Sequence, residues 1–203
     1  MAEKGIFTKK ERREFRREEQ RKEAEGAKRL RTTKKAGWWL VTVAVVVATG
    51  AGIWVWAKSQ VPESPDLSRA FPELSRNHIQ VGQTFRGYNS NPPTSGSHWS
   101  NPLARGIYAE EQPDEALVHN LEHGEIWIAY HPRVGEEAME SLKKIANSYN
   151  KVIMTPRSKN DTDIALSAWT RLDAFNLEDS PLDKKRIEDF IKRYRNKGPE
   201  LVP

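Results

Sequence analysis

The chain contains no cysteine. That excludes disulfides, thiolate-bound zinc, iron–sulfur clusters and covalently attached c-type haem. It leaves the compartment open, because an oxidising environment permits disulfides without requiring them. Apolar residues are also scarce, at 37%, and their distribution explains the low value. Residues 1–36 are almost all polar, and residues 37–57 almost all apolar. A basic folded part is missing too. Residues 1–36 hold 14 Lys and Arg against 7 Glu, so this segment carries +7 and the rest of the chain −2 of the net +5. A nucleic-acid-binding domain would carry its basic face on the folded part, so no nucleic-acid partner is expected. No internal repeat is present.

What is present falls into four stretches. Residues 1–36 read as a basic, solvated, partly helical cytoplasmic tail, with Glu14 and Glu18 near Arg17 and Arg21 giving some i, i+4 support but no apolar face to dock. The 21 residues of 37–57 carry no charge, and as a helix they span about 32 Å, the thickness of a bilayer core. Trp38, Trp39, Trp54 and Trp56 form belts at both ends, flanked by Lys34, Lys35 and Lys58. The competing reading, a cleaved signal peptide, fits less well. The apolar run is too long, the preceding segment is too long, and Val55-Trp56-Ala57 is a poor cleavage site. The basic excess before the span places the N-terminus in the cytoplasm and the C-terminal domain outside, with the lipid bilayer as a partner. Residues 58–75, with Pro62, Pro65 and Pro72, read as a linker with one helical turn near Leu67–Leu74. Residues 76–203 form the extracytoplasmic domain.

Within that domain the patterns predict a strand at 78–86, a short helix from Asp114 to His123 ended by Gly124, and a strand at 125–130. A helix at 135–149 follows, burying Met139, Leu142, Ile145, Ala146 and Tyr149, and then a strand at 152–155. Ile164 to Phe175 reads as a strand antiparallel to the one at 151–155. A last helix starts at Ser180-Pro181, buries Ile187, Phe190, Ile191 and Tyr194 and stops before Gly198-Pro199. The fold class is α+β: a small mixed or antiparallel sheet backed by helices, preceded by a single transmembrane helix.

The chemistry gathers between Tyr88 and Gly124. Tyr88-Asn89-Ser90-Asn91-Pro92-Pro93-Thr94-Ser95-Gly96-Ser97-His98 is a turn-rich loop stiffened by two prolines, one of which could follow a cis bond. His119 and His123 lie four apart, which puts them on one face of a helical turn. Imidazoles suit zinc, copper, nickel and iron. His98, His119 and His123 are the candidate ligands, with His78 or Met154 as a fourth. Met154 in a strand reads first as a core residue; if it reaches the histidines, the site becomes copper-like. His131 reads as a surface residue. His119-x-x-Glu122-His123 also matches the pattern of inverted zinc peptidases, with Glu122 as general base. Those enzymes need a longer helix around the motif, and the structural role for Glu122 is to orient a histidine ring.

The order His78, then Asn91-Pro92-Pro93-Thr94-Ser95-Gly96-Ser97-His98, Gly106-Ile107-Tyr108, Val118-His119-Asn120-Leu121-Glu122-His123-Gly124 and Ala168-Trp169 resembles the DUF3105 family, over about residues 76–200. Family members commonly carry Gly after Ala-Trp and Pro before the loop histidine, where this chain has Thr170 and Ser97. The resemblance implies a membrane-anchored, extracytoplasmic prokaryotic domain and supplies no activity.

The residues therefore point to an extracytoplasmic domain that binds a transition metal, copper ahead of zinc, for handling or delivery. The alternatives are a metal-free assembly or scaffold factor partnered with a membrane protein complex and, third, a zinc hydrolase.

Overall fold

The computed structural model describes residues 9–177, 182–200 and 202. The chain divides into two compact units, Met1–Lys58 and Ser59–Pro203.

The first unit is helix α1 (Lys9–Ser59). It runs through both the charged and the apolar stretch without a break at Gly26 or Gly37. Lys, Arg, Glu and Ala dominate the charged part and are good helix formers, so single glycines costing about 1 kcal/mol each do not interrupt it. In the apolar part the Thr42 and Thr49 hydroxyls donate to the carbonyls of Trp38 and Val45, both at 2.9 Å. Their polar groups are thereby satisfied within the helix. Among the described residues α1 is a helix long and apolar enough to cross a membrane.

The second unit is α+β. A six-stranded mixed sheet has the order β1 (Arg69–Ala70), β8 (Arg171–Phe175), β7 (Ile164–Ala168), β5 (Ile126–Tyr130), β6 (Val152–Pro156), β4 (Gly106–Ile107). A separate parallel pair joins β2 (His78–Ile79) to β3 (His98–Trp99). Helix α2 (Asp114–Glu122) lies on one face of the large sheet; α3 (Glu136–Ser148) and α4 (Lys184–Tyr194) lie on the other.

The central strands are apolar on both faces, as a covered sheet requires. Along β5, Ile126, Ile128 and Tyr130 pack towards α3 and α4, while Trp127 and Ala129 pack towards α2. Strands β5 and β6 are parallel because α3 carries the chain across between them. The segment 164–175 differs from expectation. It is a hairpin of β7 and β8 turning at Trp169-Thr170, and β7 pairs antiparallel with β5, not with β6. The other edge of β6 is taken by β4, which the sequence pattern did not mark as a strand.

Other boundaries moved for local reasons. The strand expected at 78–86 is confined to His78–Ile79. The stretch read as a linker carries no helical turn; it packs on the folded unit. The backbone N–H groups of Glu63 and Ser64 donate to Asp189 Oδ2 at 3.1 and 2.7 Å, and β1 pairs with β8. The N-cap of α2 is Pro113, not Asp114, whose carboxylate instead meets Arg157. Helix α4 begins after Asp183, whose side chain accepts from Arg186 N; the Ser180-Pro181 start lies outside the described residues. The Asn91-Pro92 bond is cis.

Candidate metal centre

Two short elements bring the histidines together. In the β2–β3 ladder His78 and His98 are direct partners, and the pairing is extended by His98 N–H donating to Asn77 O at 3.1 Å. Side chains paired across a ladder point the same way. Helix α2 supplies His119 and Glu122 one turn apart, and His123 follows as its C-cap. The helix is buried all round from Glu115 to Glu122. Leu117, Val118 and Leu121 pack on the sheet, so His119 and Glu122 face the β2–β3 pair. Trp169, at the β7–β8 turn, meets the His98 ring edge-on with centroids 6.4 Å apart.

The loop that ends in His98 is held by a buried guanidinium. Arg157 binds Asp114 through Nε and Nη2 at 2.9 and 2.8 Å. Its Nη1 donates to Asn91 Oδ1 at 2.6 Å and to Asn160 Oδ1 at 3.0 Å. Asn120, inside the helical motif, does architectural work: its side chain makes a two-way bond to the Leu103 backbone at 2.9 Å each way.

The ligand atoms of His78, His98 and His119 all lie within 4.8 Å of one another, so this cluster could hold a metal ion. Ring orientation is set from behind. His98 Nδ1 lies 2.7 Å from Gly96 O, and His119 Nδ1 lies 2.6 Å from Trp99 O. A carbonyl only accepts, so both Nδ1 atoms carry the proton. Both Nε2 atoms then present lone pairs inward, the arrangement that metal-binding histidines adopt. The Glu122 carboxylate lies beside two of them, with Oε2 at 3.0 Å from His98 Nε2 and 3.7 Å from His78 Nε2. Lone pair and carboxylate repel unless a positive charge lies between them. A proton supplies it as an ion pair; a metal ion supplies it as coordination. Metal–ligand bonds of about 2.0–2.2 Å in tetrahedral array put donor atoms about 3.3–3.6 Å apart, inside the observed range.

His119 stays neutral near neutral pH. Burial pushes its imidazole below the ordinary histidine value, the Trp99 carbonyl opposes, and His123, His98 and His78 add to the lowering. Access is through His78, whose side chain is 47% exposed while His98 is fully buried.

These segments are the ones spanned by the family described as "Protein of unknown function (DUF3105)", which matches residues 78–202. The chain belongs to that family. No curated protein and no solved structure matches it. The DUF3105 match begins on His78 itself and contains every donor atom of the cluster.

The structure brings His78, His98 and His119 together and places His123 beside them, with His119 Nε2 and His123 Nε2 3.1 Å apart. Met154 is elsewhere. It is fully buried among Ile126, Ile128 and Leu166 on the α3–α4 face of the sheet, opposite the α2 face that carries the histidines. Alternation along β6 decides this: Ile153 faces α2, so Met154 cannot. His131 closes β5, where its Nδ1 accepts from Arg133 N at 3.1 Å. Glu122 lies where the sequence reading put it, against a histidine ring, with Oε2 3.0 Å from His98 Nε2. One carboxylate goes beyond that reading. Glu200 lies 3.2 Å from His123 Nε2, and its place after the last helix gave no local signal.

Proposed function

We propose that this chain is a single-pass membrane protein whose extracytoplasmic domain holds a divalent transition-metal ion through His78, His98, His119 and Glu122. The observation that carries the reading is the pair of carbonyl-anchored imidazoles, His98 on Gly96 O and His119 on Trp99 O, aiming their Nε2 atoms at one space beside a buried carboxylate. The anchor is the apolar part of α1, residues 37–57, with the basic tail 1–36 on the cytoplasmic side and the folded domain on the other.

The donors are imidazole and carboxylate without sulfur, which suits zinc(II) and copper(II). Copper(II) stands ahead on intrinsic affinity. The thioether of Met154 makes no contribution, so the reading favours the divalent ion over copper(I). Partial exposure of His78 beside a buried His98 suits uptake and hand-over of an ion, hence metal handling or delivery.

The test uses the full chain purified in detergent without a polyhistidine tag. Elemental analysis after loading and dialysis is expected to find tightly held copper or zinc, lost in His78→Ala and Glu122→Gln. A wild-type chain that retains no metal after reloading overturns the reading and leaves the metal-free assembly factor in its place.

A further inference from the structure

Two further polar groups stand beside the four donors. His123 Nε2 lies 3.1 Å from His119 Nε2 on one side and 3.2 Å from Glu200 Oε2 on the other. Glu200 does not arrive there as a loose surface side chain. After α4 ends at Tyr194, Asn196 takes a left-handed φ of 63°, and the chain folds back over the C-terminal turn of α2. Asn196 N–H donates to Gly124 O at 2.8 Å, and Glu200 N–H donates to Glu122 O at 3.0 Å. Between these bonds Gly198 lies so close that a Cβ would stand 2.1 Å from the Glu122 carbonyl oxygen. The strap is thus fastened by its main chain to the residues that carry the site. Its one side chain aimed at a histidine is a carboxylate.

An ion pair with a half-exposed glutamate contributes little to the fold. Donor spacing gives the carboxylate a second use. The two separations, 3.1 and 3.2 Å, lie just under the edges, about 3.3–3.6 Å, of a tetrahedron with bonds of about 2.0–2.2 Å, so a small side-chain shift admits an ion. His119 offers the shared lone pair, because Trp99 O fixes the proton on its other nitrogen.

We infer that His119, His123 and Glu200 form a second, outer position for a divalent transition-metal ion, next to the inner one. This rests on the metal-binding reading above. His119 has one available lone pair and serves one ion at a time. With a single ion bound, it completes the inner set. A second ion draws it to His123 and Glu200 and leaves the inner ion on His78, His98 and Glu122. The two positions therefore bind with unequal, mutually weakening affinities. An ion can pass between them by exchanging ligands one at a time.

The test is a zinc titration of the full chain in detergent, read by equilibrium dialysis with elemental analysis. Wild type is expected to saturate at about two equivalents, one tight and one weaker, with protons released in both steps. Glu200→Gln and His123→Gln are each expected to saturate at about one, the tight step kept or strengthened as His119 stays with the inner ion. Circular dichroism checks that each variant is folded. Saturation at a single equivalent in wild type, or a second equivalent that survives Glu200→Gln, overturns the outer position and leaves the inner site standing. No bound zinc at all overturns both.

Discussion

Gly198 sits on the carbonyl of Glu122 so closely that no side chain fits between them. The nearest atoms are backbone on both sides, so a clash cannot be relieved by a rotamer change. Gly198→Ala is expected to lift the 196–200 strap and cost about 1–3 kcal/mol, the usual penalty of overpacking. Thermal unfolding of the metal-free chain measures it. An unchanged midpoint would mean that the strap is not fastened as described.

Glu122→Gln separates metal binding from folding. In the metal-free chain a glutamine amide can donate to His98 Nε2 where the carboxylate needed an extra proton, so stability should hold or rise. Metal affinity should fall by at least about 100-fold, since even outlying partners of ligands are worth about 10–100-fold. The paired readout is the midpoint with and without zinc. A metal-induced shift as large as that of wild type counts against Glu122 as a donor.

Met154→Leu tests the opposite case. The side chain is packed in the α3–α4 face, so a near-isosteric swap should cost less than about 1.5 kcal/mol. Metal content should stay the same. Loss of copper from this variant would place sulfur back in the site.

Thr170 occupies a left-handed conformation, φ 61°, at the second position of the two-residue β7–β8 turn. A β-branched residue is strained there, and glycine is the residue such turns prefer. Thr170→Gly is expected to stabilise the domain by about 1 kcal/mol, the relieved strain less the added freedom of the unfolded chain. Urea unfolding reads it as a raised midpoint with an unchanged slope.

Acid should loosen the segment before β1. Asp189 is buried, which alone would raise its carboxyl; the N–H donors of Ser64 and Glu63 and the charge of Lys192 outweigh this and hold it below the ordinary aspartate value. The group binds fewer protons folded than unfolded. Its contribution is therefore full above the unfolded value near pH 3.8 and is lost as pH falls towards the depressed folded value. Asp189→Ala should remove this part of the acid dependence and cost about 1–3 kcal/mol at neutral pH, as two backbone donors lose their acceptor. Stability curves from pH 2 to 7 on both proteins test the difference.

Local pattern carried a good part of the description. The uncharged run 37–57 marks a membrane-competent helix by length and composition. The helix at 136–148 and the core strands at 126–130 and 152–156 follow from periodicities that one buried face imposes. His119 and His123 are neighbours by helical geometry alone, and the glycine that ends their helix, Gly124, does have positive φ, 72°. Pairings beyond the local chain were another matter. The partner of β7 depends on which sheet edge α3 leaves open, and no local feature of residues 164–168 records that.

The site divides the same way. Sequence alone determined that no thiolate can be a metal ligand, because the chain has no cysteine, and that histidines lead the candidates. It also determined which histidines are held on rigid local structure. Tertiary structure decided which of them meet. A two-residue ladder sets His78 against His98, carbonyls 2 and 20 residues away choose the tautomers of His98 and His119, and strand alternation turns Met154 to the other face. A strap from the far end of the chain delivers Glu200. Apart from the Gly96 carbonyl and the alternation along β6, these are contacts between segments whose separation in sequence carries no trace of their approach in space. What brings them together is burial of the shared core, and the donor atoms come along with it.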